Sequence, residues 1–176
     1  KLQTYNNLAL ENQKISKLLE SSYFIPDHNV MLARIKSITQ SRLSKQIIIN
    51  KGLNDAVTLS DLVIGSDGVV GQVTEVTALF ATVKLLSDPT LHMPVKNSRT
   101  GARGITKGLA SDEKGMVVEF IPLESDIKIG DIFVTSGIGN SYPSGYFVGR
   151  VKSVDKSPNS AFMRISIDPT QNMNQL

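Results

Sequence analysis

One serine and two histidines are the side chains best suited to covalent chemistry. Ser136 stands beside Gly137, as a nucleophile in a tight turn would, and His28 and His92 are the only histidines among the 176 residues. A serine protease needs one histidine held between the serine and an aspartate. Neither histidine lies in such a motif, and no Gly-Asp-Ser-Gly-Gly type of nucleophile turn is present. We favour a serine that satisfies its own turn, with a double-barrel serine hydrolase or degenerate protease-like protein as the alternative.

Two aspartates, Asp61 and Asp131, have the residue type needed for the acid pair of a glycoside hydrolase. Both occupy the same place in a repeated sequence pattern, next to a turn, where an aspartate commonly accepts hydrogen bonds from its own backbone. The sequence has no nucleotide-binding glycine loop and no EF-hand loop. We therefore predict a protein that is not an enzyme and that binds no metal and no cofactor.

The overall composition excludes several further classes. Nineteen Lys and Arg against sixteen Asp and Glu leave a net charge of +3, which does not indicate a nucleic-acid partner. The absence of cysteine excludes disulfides, thiolate catalysis and iron–sulfur clusters. No apolar run reaches the roughly 18 residues of a membrane-spanning helix. Because the chain starts at Lys1 without a methionine, we expect it to be part of a longer protein.

The first 22 residues contain no Gly or Pro and carry an apolar heptad pattern. The members of this seam are Tyr5, Leu8, Asn12, Ile15 and Leu19. A buried Asn at an a position favours an in-register pair of helices. The pattern therefore predicts a coiled coil that mediates homodimerisation or higher self-assembly. The alternative is a helix that packs on its own domain.

Turn residues punctuate the chain after Pro26 at short intervals, which is typical of an all-β protein. Strands are predicted at 33–36, 46–49, 62–64, 69–76, 81–86, 116–120, 132–135, 146–154 and 161–167. The predicted organisation is a coiled-coil helix over residues 1–22, a first β-barrel over 23–100, a second β-barrel over 101–169 and a polar tail over 170–176.

The two predicted barrels carry similar sequences. Three blocks align in the same order, 53–64 with 123–134, 71–76 with 149–154, and 81–89 with 161–169. This internal repeat predicts two small barrels of the same kind. Gly71 and Gly149 are expected where a strand bends or another backbone approaches closely. The alternation predicts a core that contains Val73, Val83, Leu85, Val151, Met163 and Ile165.

Aromatic residues are concentrated in the second unit. The first unit has Val63 and Thr82 at the positions that we align with Phe133 and Phe162. Exposed aromatic side chains beside a flexible loop are typical interface anchors. We therefore predict a partner-binding surface formed by Phe133, Tyr142, Tyr146, Phe147 and Phe162. The alternative is that these rings close the open end of a small barrel.

A basic stretch lies between the two units. Lys96, Arg99, Arg103 and Lys107 occur with no acidic residue between Asp88 and Asp112. A solvated hairpin explains this pattern, and the alternative is contact with an acidic partner or with an anionic membrane surface.

The order and spacing of several short motifs resemble the MreC family of bacterial rod shape-determining proteins. The motifs are Gly68-Val69-Val70-Gly71-Gln72-Val73, Leu85-Leu86-Ser87-Asp88-Pro89, Gly130-Asp131, Thr135-Ser136-Gly137, Pro143-Ser144-Gly145 and Val148-Gly149-Arg150-Val151. The resemblance covers residues 1–168 and departs from the commoner pattern at Tyr146-Phe147, where small or aliphatic residues are more usual.

This resemblance implies a single-pass inner-membrane protein whose coiled coil and two β-barrels lie on the periplasmic, or extracytoplasmic, side of the membrane. It also implies a scaffold for peptidoglycan biosynthesis during cell elongation. The implied partners are a penicillin-binding transpeptidase, the membrane protein MreD and the actin-like MreB system. A cytosolic oligomeric adaptor is a further alternative, distinguished by the sequence upstream of Lys1.

Overall fold

The structure is a computed structural model that describes residues 30–110, 115–138 and 143–171, together with Leu10, Asn12, Gln13 and Ile15. The chain divides into two compact units, residues 1–32 and 33–176. The four described positions of the early segment have helical backbone. Tyr5, Leu8 and Leu19 lie outside the described residues, as does the tail after Gln171, so the coiled coil and the dimer remain predictions. Within the described part, no helix has the length and apolar character needed to cross a membrane.

The compact unit over residues 33–176 is built from β-strands, which confirms the predicted all-β class for this part of the chain. The described strands are β1 (Ile35–Gln40), β2 (Lys45–Ile49), β3 (Leu62–Ile64), β4 (Val69–Val76), β5 (Ala81–Leu85), β6 (His92–Asn97), β7 (Arg103–Gly108), β8 (Met116–Pro122), β9 (Ile132–Thr135), β10 (Phe147–Asp155) and β11 (Phe162–Pro169). Every strand expected from the sequence is present, with small shifts at the ends. β6 and β7 were not predicted as barrel strands, because their alternate positions carry Lys, Arg and His.

The strands form one open sheet and one closed barrel. The sheet has five strands in the order β1-β2-β5-β4-β3, and the barrel has six in the order β10-β11-β8-β7-β6-β9. The expectation of two barrels is therefore correct only for the second. β6 pairs with β7 and β9, so residues 92–97 belong to the barrel and not to the first β unit, where the predicted boundary at 100 placed them. Among the described residues, the first β unit has five strands and no sixth with which to close.

Hydrogen-bonded register confirms most of the internal repeat. Leu62 pairs with Gln72 and Val63 with Gly71, and the second unit repeats this pattern in the pairing of β9 with β10. The turns before β3 and β9 also match, since Asp61 accepts the Thr58 N–H at 2.8 Å and Asp131 accepts the Lys128 N–H at 3.0 Å. Residues 53–76 and 123–154 therefore contain the same β unit.

The last block of the predicted alignment is wrong by four residues. Gly71 faces Leu85 in β5, whereas its counterpart Gly149 faces Pro169 in β11. The counterpart of Thr82 is consequently Ser166, and Phe162 has none in the shorter β5. A slip by an even number of residues leaves the inward and outward alternation unchanged, so the sequence pattern does not reveal it.

Both repeat glycines lie where the neighbouring strand approaches closely, as predicted. A Cβ atom on Gly71 would collide with the carbonyl oxygen of Lys84, and one on Gly149 would lie 2.8 Å from the carbonyl oxygen of Asp168. Each glycine therefore allows a backbone approach that a side chain would block.

Two hydrophobic clusters form the core of the compact unit over residues 33–176. One fills the barrel and includes Phe133 and Met163, and the other lies on the sheet and includes Val83. All six core residues predicted by alternation are buried. Val69 from β4 and Leu86, directly after β5, belong to the barrel cluster. The sheet and the barrel therefore share a continuous apolar interior.

A close backbone contact accompanies this shared interior. A Cβ atom on Gly108 of β7 would collide with the Ser87 carbonyl oxygen at the end of the sheet. Beside it, the buried Asp88 accepts the Lys45 N–H at 2.7 Å and the Thr90 N–H at 2.8 Å. Burial acts to raise the pKa of Asp88, but these hydrogen bonds outweigh it and the pKa is lowered. The carboxylate thus ties β2 to the connection that leads into the barrel.

Candidate docking surfaces

The residues considered for covalent chemistry do not form a catalytic group in the described structure. The Ser136 hydroxyl accepts the Ile138 N–H at 3.4 Å, as expected of a serine that satisfies its own turn. His92 Nδ1 lies 3.2 Å from the Thr90 carbonyl oxygen. No hydrogen bond joins Ser136 to His92 within the described ranges, and His28 lies outside them.

The two candidate acids serve turns instead. Asp61 accepts hydrogen bonds from the backbone and hydroxyl of Thr58. Asp131 accepts hydrogen bonds from Asn97 Nδ2 at 2.9 Å and from Arg99 Nε at 2.9 Å and Nη2 at 2.8 Å. The Arg99 hydrogen bonds are the main reason why the pKa of Asp131 is held far below its ordinary value. This side chain is an acceptor that stays ionised, which suits turn stabilisation and not proton transfer.

We expect Asp131→Asn to lower the free energy of unfolding at pH 7 by about 1 to 3 kcal/mol, because it removes charge-assisted hydrogen bonds to Arg99. The folded-state pKa is depressed, so this contribution is present above the unfolded-state pKa of about 3.9 and is lost as the pH falls toward the folded-state value. Urea unfolding between pH 7 and pH 3 therefore shows a shallower acid dependence in the variant. Asp61→Asn is the matched control, and an equal loss there contradicts the assignment to Arg99.

Phe147 is one exposed aromatic residue of the barrel wall. It lies at the start of β10, and its side chain is 55% exposed. Its cross-strand partner is Val134 in β9. A shallow depression of about 620 Å³ borders it, lined also by Asp67 from the turn between β3 and β4 and by Arg150 and Asp168 from the barrel. Phe147 therefore has the exposed position expected of a residue in the predicted partner-binding surface.

Phe120 and Phe162 form a second exposed aromatic surface, which we call the phenylalanine pair. Their ring centroids are 5.9 Å apart with an interplanar angle of 75°, an edge-to-face contact. Phe120 is 55% exposed and Phe162 is 45% exposed. The outward orientation predicted for Phe162 is therefore confirmed.

Phe120 is absent from the set of surface aromatics predicted from the sequence. Its φ angle is +66°, a left-handed conformation that is uncommon for a bulky residue. Both Phe120 and its neighbour Glu119 lie outside the core, while Ile121 is fully buried. Regular alternation along β8 cannot produce this arrangement. No feature of the local sequence indicates the irregularity.

The remaining aromatic predictions have different outcomes. Phe133 is fully buried inside the barrel, so its predicted place on an exposed face is wrong. The difference arises because Phe133 and its counterpart Val63 both face inward, and the larger side chain fills the closed barrel. Tyr146 is half-buried and packs against the barrel cluster, and this burial raises the pKa of its hydroxyl. Tyr142 lies outside the described residues.

Phe147 and Phe162 do not belong to one patch. Phe147 lies opposite Val134 at the start of β10, whereas Phe162 lies opposite Pro122 at the start of β11. The two strands are antiparallel, so their starts lie at opposite ends of the hairpin. A rise of about 3.3 Å per residue along β11 separates these ends by roughly 20 Å. The barrel consequently has two separate exposed aromatic surfaces.

The fold and these surfaces define a class, the double-β module in which an open five-stranded sheet is fused to a closed six-stranded barrel. The sequence matches the family described as "Rod shape-determining protein MreC, barrel core" over residues 35–176. The chain belongs to the MreC family.

Curated relatives with the same family name are similar along most of this chain. The cell shape-determining protein MreC of Escherichia coli is 34% identical over 166 residues, which cover 94% of this chain and 45% of the relative. The protein of the same name from Haemophilus influenzae is 31% identical over 164 residues, or 93% of this chain and 46% of the relative. The chain spans about half the length of these relatives.

Solved structures show the same architecture. A structure named MreC has a TM-score of 0.86 and 33% identity, and the match covers 96% of this chain and 95% of that one. MreC from Pseudomonas aeruginosa has a TM-score of 0.77 and 33% identity, with 84% and 94% covered. A complex between Penicillin-Binding Protein (PBP2) and MreC from Helicobacter pylori has a TM-score of 0.64 at 17% identity, with 80% and 87% covered. At this identity the last comparison shows the fold alone.

Proposed function

We propose that this protein is a non-enzymatic scaffold of the bacterial cell-elongation machinery that maintains rod shape and binds a penicillin-binding transpeptidase through its closed barrel. The phenylalanine pair is the observation that carries this proposal. Two large apolar rings in contact, each about half exposed, have the character of an interface anchor. Membership of the MreC family and the complex known for the Helicobacter pylori protein support the class of partner.

The position of the protein in the cell is part of the same proposal. We infer a location on the periplasmic, or extracytoplasmic, face of the inner membrane, with a single membrane anchor in the full-length protein. MreD, the MreB system and a second copy of this chain are the further proposed partners. Support comes from the family relationship and, for the second copy, from the heptad seam of residues 1–22.

The double variant Phe120→Ser and Phe162→Ser is expected to weaken binding of a purified penicillin-binding transpeptidase by about 30-fold, equivalent to about 2 kcal/mol. The thermal stability should change little, because both side chains are already exposed. Isothermal titration calorimetry, with this protein and the transpeptidase both in solution, measures the affinity. Phe147→Ser is the matched control, since it removes an equally exposed ring roughly 20 Å away. If the control weakens binding and the double variant does not, the transpeptidase uses the other aromatic surface.

Removal of residues 1–22 is expected to convert a self-associating protein into a monomer, because the heptad seam would then be absent. Sedimentation equilibrium of the full and truncated chains measures this. A full chain that is monomeric at high concentration contradicts the prediction. Asn12→Leu is the conservative control, expected to change the oligomer number or register and to retain association.

A further inference from the structure

The outer wall of β6 and β7 carries basic side chains on one face, and two of them are cations directly opposite each other. Lys96 is the direct cross-strand partner of Arg103, and His92 is the partner of Lys107. Between these pairs, Pro94 lies opposite Ile105. Direct partners in an antiparallel pair share one face, and like charges in that position are destabilising. We call this surface, formed by Lys96, Arg103, Lys107, Pro94 and Ile105, the basic face.

The cations of the basic face have no neutralising partner among the residues that the structure describes. Within the described residues, Lys96, Arg103 and Lys107 take part in no ion pair and no side-chain hydrogen bond. Glu119 is opposite Ile105 on the next strand and forms no ion pair with any of the three. Arg99, from the same basic stretch, is different because Asp126 and Asp131 both bind it, at 2.7 and 2.8 Å. Aspartates therefore neutralise Arg99 in the loop, whereas the three cations on the strands have no ion-pair partner among the described residues.

Cross-strand register connects the basic face to Phe147. Arg103 pairs with Lys96, which pairs with Val134, which pairs with Phe147. These four residues form one row across β7, β6, β9 and β10, in which Val134 is buried and the other three are at least partly exposed. With strands about 4.8 Å apart, the row is about 14 Å long. It carries two cations at one end and an exposed aromatic ring at the other.

We propose that the basic face binds an acidic segment of a partner protein in an extended conformation. Two carboxylates of the segment would contact the Lys96–Arg103 pair and Lys107, and an apolar side chain between them would cover Pro94 and Ile105. Arg103 and Lys107 are four residues apart along β7, or about 13 Å. The side chains at alternate positions of an extended segment have the same repeat, so carboxylates four residues apart match the two cationic positions. This proposal does not depend on the transpeptidase proposal, which rests on the phenylalanine pair.

The apolar part of the basic face favours a protein segment over a lipid surface. Pro94 and Ile105 are half-buried, so only part of each side chain is available to a partner. Binding to a bilayer interface draws on apolar groups that enter the boundary region in addition to the attraction between charges. A half-buried apolar strip between cations is better matched by a single side chain of a partner.

A capped peptide provides the direct test. The probe has the sequence Thr-Glu-Thr-Ile-Thr-Glu-Thr, which places two glutamates and an isoleucine on one face, and a second peptide has glutamine in place of glutamate. We expect saturable binding of the first peptide at low salt and at least tenfold weaker binding by the double variant Lys96→Glu and Arg103→Glu. The matched control is Lys36→Glu with Arg164→Glu, which reverses two exposed charges on β1 and β11 and should change the affinity by less than twofold.

A stability measurement separates loss of binding from damage to the fold. The single variant Lys96→Glu places opposite charges across from each other at Arg103, so its Tm should rise by about 2 °C while it loses peptide binding. Equal binding of the peptide by parent and double variant would overturn the proposal, as would no binding at low salt. Capture of the parent by anionic phospholipid vesicles, lost in the double variant, together with no peptide binding, would assign the basic face to a membrane.

Discussion

Ile165→Ala is expected to lower the free energy of unfolding by roughly 2 to 5 kcal/mol, the range for a large aliphatic side chain truncated in a core. Ile165 is fully buried in the barrel cluster. It lies between Val118 on β8 and Val154 on β10, its partners on the two neighbouring strands. Truncation therefore leaves a cavity inside a closed barrel, where the surrounding strands are paired on both sides and have little freedom to collapse.

Urea unfolding of Ile165→Ala alongside Arg164→Ala measures this effect. Arg164 is the preceding residue of β11 and is exposed, so its truncation should cost less than about 0.5 kcal/mol. The contrast between adjacent positions tests the alternation directly. A loss below about 0.5 kcal/mol for Ile165→Ala would mean that the inward and outward faces of β11 are exchanged.

Gly71→Ala is expected to cost about 3 kcal/mol, at the upper end of the range for inserting a methyl group into a packed site. The added Cβ would overlap the carbonyl oxygen of Lys84. This oxygen belongs to the backbone of β5, which is paired on both sides by β2 and β4. The clash can therefore be relieved only by moving the central strand of the sheet.

The equivalent substitution in the repeat is the comparison. Gly149→Ala brings its Cβ to 2.8 Å from the Asp168 carbonyl oxygen and 2.9 Å from Ile167 Cδ1. Since one of these contacts is a flexible side-chain end, we expect a smaller cost of about 1 to 2 kcal/mol. Thermal unfolding of both variants shows which substitution lowers the stability more. A Gly71→Ala protein as stable as its parent would contradict the close backbone contact.

The predictable part of the fold is the part governed by local alternation and by the repeat. Strands such as β4 and β9 were predicted to the residue because apolar positions recur with a period of two and turn residues follow. The pairing of β6 could not be predicted, since the choice between closing the sheet and closing the barrel depends on contacts between distant segments. The four-residue error in β11 has a related cause, because alternation fixes the face of a residue but not its partner.

The exposed aromatic surfaces of the barrel were less predictable from the sequence than the strands. Alternation predicts an outward position for Phe162, and for Tyr146 and Phe147 it requires only that one of the two faces outward. Phe147 and Phe162 are both exposed. The comparison of Phe133 with the smaller Val63 wrongly predicts extra exposed area, because the larger ring fills the interior of the closed barrel. Phe120 depends on a left-handed backbone conformation that the sequence does not encode in any recognisable turn residue.

The difference between an open sheet and a closed barrel sets how other chains can join this protein. Each strand of the barrel has two hydrogen-bonded neighbours, so its backbone groups are already paired. β1 has a single neighbour, β2, among the described strands, and most of its residues are exposed. Strand addition, in which a partner extends a sheet through main-chain hydrogen bonds, is therefore open at the two edge strands of the described sheet, β1 and β3, and not on the barrel. The open sheet can therefore associate with other chains through backbone groups at its edges, whereas the closed barrel can do so only through its side chains.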